Sequence, residues 1–183
     1  MTRFYTKKGD DGYTSILGKG RAPKYDHRIE TVGTIDEANA AIALARTLCH
    51  DPQTTAILIS VQKDLYHLMA EVSATPQNAP NFRKINTEKV SWLENQIDNL
   101  SAQVTIPDEF ILPGDTQAGA AIDLARTIVR RAERHLARMF LTKKIENHEL
   151  LHYMNRLSSL FFILELLENK AAGINKATLN KDK

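Results

Sequence analysis

From Asp26 onward, apolar residues return every three or four positions, the spacing of one face of an α-helix. Ile29, Val32, Ala40 and Ala43, with Asp36 on the same line, predict a first helix from Asp26 to about Cys49. A second, from about Pro52 to Ser73, carries the stripe Ile57, Leu58, Val61, Leu65, Leu68 and Met69. Val90, Leu93, Ile97 and Leu100 mark a third, from about Thr87 to Leu100. Pro107–Asp115 reads as a loop, after which Asp115 or Thr116 offers an N-cap for a fourth helix reaching about Phe140. A fifth runs from about Asn147 to Asn169. Residues 74–85 are polar and hold two prolines, the composition of a connection.

Residues 1–25 break this period. Gly9, Asp10, Asp11, Gly12, Gly18, Gly20 and Pro23 predict an ordered loop, with short strand pieces at Phe4–Thr6 and Tyr13–Leu17. Helices joined by short connections predict an all-α, antiparallel five-helix bundle. The expected organisation is one domain over 1–183: the loop 1–25, the bundle 26–171 and a flexible tail 172–183.

Composition changes this picture little. With 183 residues, 43% hydrophobic and 25% charged, the chain has the material for one folded core. A formal net charge of +2 gives no general pull toward nucleic acid. Cys49 is the only cysteine, so no internal disulfide or thiolate cage can form and a reducing compartment is expected. The first residues lack the apolar run of a signal peptide, and no stretch is long enough to span a bilayer. The expected location is the cytoplasm.

Local clusters are more informative. In Thr6–Ser15, two glycines permit tight turns that expose backbone N–H groups, and Lys7, Lys8, Thr14 and Ser15 stand beside them. A phosphate cradle and a plain surface turn both fit. The P-loop pattern does not, because Gly20 stands where Ser or Thr is required. In the fourth helix, Arg126, Arg130, Arg134 and Arg138 recur every fourth residue and share one face, with Arg131 and Glu133 beside them. Either the face is simply solvated or it meets a polyanion, whose phosphates pair with guanidinium forks. The face carries no interleaved aromatics, which disfavours nucleic acid.

Three further positions stay open on residues alone. Asp36, on the apolar line of the first helix, is expected either to sit in a wet position or to form a salt bridge, with an arginine of the fourth helix as the partner. His148-Glu-Leu-Leu-His152 matches the H-E-x-x-H zincin pattern. A third ligand is missing, however: Glu165 lies thirteen residues on, roughly 20 Å along the same helix. Asn155, in mid-helix between the expected core positions Met154 and Leu157, can pair with a purine or ribose, or serve helix packing.

Five segments taken in order resemble the PduO-type ATP:cob(I)alamin adenosyltransferases. They are Tyr5-Thr-Lys-x-Gly-Asp-x-Gly12, Gly33-Thr-x-Asp-Glu-x-Asn39, Phe110-Ile-Leu-Pro-Gly114, Ala125-Arg-Thr-x-x-Arg-Arg-Ala-Glu-Arg134 and Asn155-Arg-Leu-Ser158. The resemblance implies a ferritin-like bundle that assembles as a homotrimer with active sites between subunits. It implies an ATP site of Thr6, Lys7, Lys8, Gly9, Thr14, Ser15 and Lys24, completed by Arg130, Arg131, Glu133, Arg134 and Asn155. Mg²⁺ would be carried on the ATP phosphates. Asp36 would pair with Arg126 across the interface, Phe110 would exclude the lower axial ligand of cobalt, and Phe162 would line the corrin pocket. An electron-donor protein that reduces Co(II) is a further expected partner. Asp115, Ala38 and Ser159 depart from the family's glycine, leucine and aspartate. The reading in another class is a nucleotide or corrinoid carrier or sensor that keeps the bundle without turnover, and a zinc peptidase built on His148 and His152 is a third.

Overall fold

In the computed structural model, residues 5–180 are described. Five long helices dominate: α1 (His27–Leu48), α2 (Pro52–Ser73), α4 (Thr87–Ser101), α5 (Gln117–Leu141) and α6 (His148–Ala171). Each begins on a side chain suited to an N-cap. Asp26, Asp51, Asn86, Thr116 and Asn147 all accept a backbone N–H from the first turn. Thr116, rather than Asp115, caps α5.

Two corrections follow. The connection after α2 holds a sixth, four-residue helix, α3 (Ala79–Phe82), with Pro80 in its first turn where a missing N–H costs nothing. The strand piece expected at Tyr13–Leu17 is present over its first three residues as β1 (Tyr13–Ser15), but its antiparallel partner is β2 (Arg21–Pro23) rather than the Phe4–Thr6 piece. Tyr5 and Thr6 belong to no strand, and Phe4 lies outside the described residues.

Side-chain pairs give the helix directions. His27 lies against His135 while Glu37 meets Arg131, so α1 and α5 are antiparallel. Tyr153 donates to Asp64 and Asn147 to Glu71, so α2 and α6 are antiparallel. The four helices α1, α2, α6 and α5 enclose the core, built on Ile35, Ile42, Leu58, Leu65, Leu136, Leu157 and Phe161. The fifth long helix is not antiparallel to its main neighbour. Arg156 pairs with Glu94, and farther along Lys170 donates to the Gln103 carbonyl, so α4 runs parallel to α6. The reason is the long 74–86 connection, which carries the chain from the end of α2 to the start of α4 along the same end of the bundle.

Two devices fix the ends. Arg28 donates to the Val72, Ala74 and Lys144 carbonyls, tying the start of α1 to the ends of α2 and α5. Asn147 caps α6 and also donates to Glu71 and to the Ile85 carbonyl. Glu71 is buried, and desolvation raises its pKa against the opposing pull of Asn147 and Arg83. Within the segment expected as a flexible tail, 172–183, residues 178–180 instead pair with the loop before α5, and 181–183 lie outside the described residues.

Asn147→Ala removes a cap and strips a donor from a buried carboxylate, so it is expected to cost about 2–3 kcal/mol. The exposed cap replacement Asn86→Ala is expected to cost about 1 kcal/mol. Urea unfolding checks both: midpoints should fall in that order at constant m.

Candidate functional site

The N-terminal loop is organised by Arg21. Its guanidinium donates to both Asp11 carboxylate oxygens, each at 2.7 Å, and to the Lys8 and Tyr13 carbonyls. That bonding holds Asp11 at about 2, below the ordinary carboxylate range. Lys7 sits in the left-handed region at φ 60, uncommon for a side chain with a Cβ and a mark of a constrained turn. Lys24 lies over Gly9, where an added Cβ would meet its Nζ at 3.3 Å. Thr6, Lys7, Lys8, Gly9, Thr14, Ser15 and Lys24 therefore occupy one surface feature, with all but Gly9 and Thr14 exposed. Leu17 N–H donates to the Ser73 carbonyl and the Leu17 carbonyl accepts from Thr75 N–H, which docks this feature on the end of α2.

On α5, Ala118, Ala121, Ile122, Ala125, Val129, Ala132 and Leu136 are buried, which forces the arginines outward. Arg131 pairs with Glu37 at 2.6 Å and Arg126 with Asp123 at 2.6 Å. Among the described residues, Arg130, Arg134 and Arg138 have no carboxylate partner. Asn155 is exposed, not inserted between core residues. It donates to Glu133 at 3.0 Å, placing two expected ATP residues in contact beside Arg130. Arg126, Arg130 and Phe162 line one open cleft of about 380 Å³, with Ile97, Ser158 and Ile163. That cleft has two cations and an apolar floor.

Asp36 requires a correction. It is exposed, because the buried face of α1 runs through Thr31, Thr34, Ile35, Ala38, Ile42 and Ala45. Small residues on both sides of α1 made the outer line resemble the inner one; Ile35 and Ile42 mark the true core. Within the chain Arg126 meets Asp123 instead, and no ion pair of Asp36 occurs among the described residues.

Phe110 is 89% exposed, on the loop before α5. The glycine-lysine loop lies near the other end of that helix, since Leu17 docks on Ser73 and Thr75 while Arg28 bridges the carbonyls of Ala74 and Lys144. The 25 residues of α5 span roughly 37 Å, so Phe110 and Lys8 stand far apart within one chain. Among the described residues, no hydrogen bond or ion pair joins Lys7 or Lys8 to the arginine row.

His148 packs its edge on Phe140 at 4.3 Å, and its ring is 6.4 Å from that of His152, which faces Glu149. Among the described residues no group of three His, Cys, Asp or Glu side chains is arranged to hold a metal. No helix among them is long and apolar enough to cross a membrane.

Sequence reasoning weighed Glu165 only as a zinc ligand and missed its burial. Both its oxygens are buried without a hydrogen-bond partner among the described residues. Desolvation, then Asp123, raises its pKa to about 7, with Arg126 pulling the other way. A charge inside Phe-Phe-Ile-Leu-Glu-Leu-Leu was the available signal.

The bundle thus presents an outward arginine row, a glycine-lysine loop and an apolar cleft on one surface framework. The chain belongs to the cobalamin adenosyltransferase family, whose model matches residues 4–168. The corrinoid adenosyltransferase of Bacillus subtilis is 38% identical, over 94% of this chain and 89% of that protein. The corrinoid adenosyltransferase PduO of Citrobacter freundii is 37% identical over 94% of this chain. The chain spans about half the length of the two PduO relatives it matches, 51% and 50%. A variant PduO-type ATP:corrinoid adenosyltransferase from Lactobacillus reuteri, complexed with cobalamin and ATP, superposes with a TM-score of 0.89 at 31% identity, over 98% of this chain and 100% of that one.

Glu165 makes stability depend on pH with a definite sign. Its folded pKa is raised, so its contribution is fully present below the ordinary 4.5 and is lost as pH rises through about 7. Glu165→Gln should match the wild type near pH 5 and exceed it by roughly 2 kcal/mol at pH 8. Denaturant midpoints at the two pH values check this; an offset equal at both would contradict it.

Proposed function

We propose that this chain is an ATP:cob(I)alamin adenosyltransferase, transferring the 5′-deoxyadenosyl group of ATP to the Co(I) centre of a reduced corrinoid. The observation that carries the reading is the cleft where Arg126, Arg130 and Phe162 meet, in which Arg130, like Arg134 beside it, has no carboxylate partner among the described residues. Family membership and the ATP and cobalamin held by the Lactobacillus reuteri relative support it. In the reaction the Co(I) electron pair forms the Co–C5′ bond, the C5′–O bond breaks, and triphosphate leaves with its electrons. Cobalt emerges formally as Co(III). The nucleophile is already electron-rich, so no general base is required. What the protein must do is align cobalt with C5′ and neutralise a highly charged leaving group.

Arg130 and Arg134, with Lys7 and Lys8 from a neighbouring subunit, take the leaving group. Glu133 and Asn155, already joined, face the nucleoside. Thr6, Gly9, Thr14, Ser15 and Lys24 complete the cradle, and Arg131 borders it. The separation of Lys8 from Phe110 along α5 supports a homotrimer with sites between subunits, in which a neighbour's loop completes each site. In that assembly the exposed Asp36 finds Arg126 of a neighbour, whose Nη groups are left over from the Asp123 pair. Mg²⁺ carried on the ATP phosphates would supply further charge neutralisation there.

Phe110 and Phe162 form the corrin side. An aromatic face on the lower side of the ring keeps water or benzimidazole from cobalt. Losing an axial donor favours the electron-rich metal, so Co(II) becomes easier for an external electron-donor protein to reduce. The half-buried Cys49 thiol, pushed up to about 12 chiefly by burial, stays protonated and suits the reducing cytoplasm.

Two variants test this by anaerobic spectroscopy of the Co(I) band with Mg-ATP. Arg130→Ala should leave the trimer intact and lower turnover by about 10²–10³ or more. Near-normal turnover would remove arginine from the mechanism. Phe110→Ala should keep ATP binding and lose at least about tenfold in turnover when the assay starts from Co(II), since removing an aromatic shield costs of order 1–2 kcal/mol. Equal rates from Co(II) would end the coordination role.

A further inference from the structure

Helix α6 ends in a Schellman turn. Gly173 takes φ 87 and Ile174 N–H donates to the Asn169 carbonyl at 2.8 Å, which reverses the chain. Residues 174–180 then run along the loop that carries Phe110. Leu112 N–H donates to the Thr178 carbonyl at 2.8 Å and Asn180 N–H to the Phe110 carbonyl at 2.9 Å, with Ile111 and Leu179 paired between them. Thr178 also donates its Oγ1 hydrogen to Asp115 Oδ1 at 2.6 Å and its N–H to Asp115 Oδ2 at 3.0 Å. Both oxygens of one carboxylate and three polar groups of one threonine are thus committed to holding two segments together.

Asp115 stands where the pattern this chain resembles has a second glycine. The replacement strains nothing: Gly114 takes the positive φ, and Asp115 does not. A glycine there could not make these bonds. The residue after it, Thr116, caps α5 and donates to Asn169 of α6. The loop is therefore anchored at its helix end by Thr116 and along its length by the strap. The Phe110 side chain is almost fully exposed, so its own backbone sets its aim.

We propose that residues 174–180 form a strap that holds the Phe110 loop, with Asp115 and Thr178 as its clasp, and that these two are positioning residues for exclusion of the lower axial ligand. The role assigned to the ligand step rests on the function proposed above; the clasp itself does not. Bonds to an ionised carboxylate are stronger than neutral ones, so opening the clasp should raise the loop's mobile fraction about fivefold.

The test uses the full chain with Asp115→Gly, Thr178→Val and Asp115→Asn. The asparagine can still accept from the Thr178 N–H and donate to its hydroxyl, and so serves as the rescue. The first readout is hydrogen exchange at the Leu112 amide, which needs no substrate. It should accelerate about fivefold in the glycine and valine variants and stay near wild type in the asparagine variant. Unchanged exchange in the glycine and valine variants overturns the strap, whatever the activity. The second is electron paramagnetic resonance of bound cob(II)alamin with ATP, where nitrogen splitting reports benzimidazole still on cobalt. Glycine and valine variants should retain more of that signal, turn over about fivefold more slowly from Co(II), and match wild type when supplied with prereduced Co(I). Faster exchange with an unchanged nitrogen signal overturns the positioning role. A wild-type protein that forms no adenosylcobalamin condemns the proposed function instead, while the exchange result still decides the strap.

Discussion

The outward row of α5 is the constraint around which the molecule is arranged. Its inner face is alanine, valine, isoleucine and leucine packed against α1 and α6, so the helix cannot rotate to hide a guanidinium. Arg126 and Arg131 find carboxylates at 2.6 Å, while Arg130, Arg134 and Arg138 find none among the described residues. Like charges spaced one turn apart repel by a few tenths of a kcal/mol per pair. A sequence that keeps them trades stability for a surface that a polyanion can relieve. The Glu133–Asn155 contact sits beside that surface and gives it a polar edge.

The same geometry separates the parts that a site would need. The glycine-lysine loop belongs to the end of the bundle where Arg28 ties α1 to α2 and α5. Phe110 belongs to the end where Thr116 meets Asn169. Arg126 and Arg130 lie between, opening on a cleft with Phe162. Assembly with copies of the same chain is what would bring a loop and a row together. The exposed face of α1, with Asp36, Ala40 and Leu44, is a surface available for that contact.

Much of this was legible in the sequence because the helices are strongly periodic and well capped. All five long helices begin at an Asp, Asn or Thr, and their predicted bounds fall within two residues of those observed. Asp36 was misread as core-facing because alanines flank both sides of α1, and only Ile35 and Ile42 distinguish the inner line. Asn155 was misplaced for a related reason: Met154 and Leu157 bracket it in sequence, but at helical spacing it turns outward. The parallel course of α4, the short α3 and the docked segment 174–180 depend on contacts distant in the chain, which periodicity cannot report. Glu165 left a trace, a lone charge in an apolar run. The loop and row residues assigned to ATP were suggested by the resemblance to a family, not by spacing.

The claim at the centre is that one subunit's glycine-lysine loop and another's arginine row serve a single triphosphate. Mixing subunits tests it most directly: Lys8→Ala and Arg130→Ala proteins, each inactive alone, are unfolded together and reassembled. If sites are shared between chains, random mixed trimers regain about a quarter of the wild-type sites, because an intact loop then faces an intact row. Mixtures that assemble fully yet stay as inactive as either parent would contradict the account.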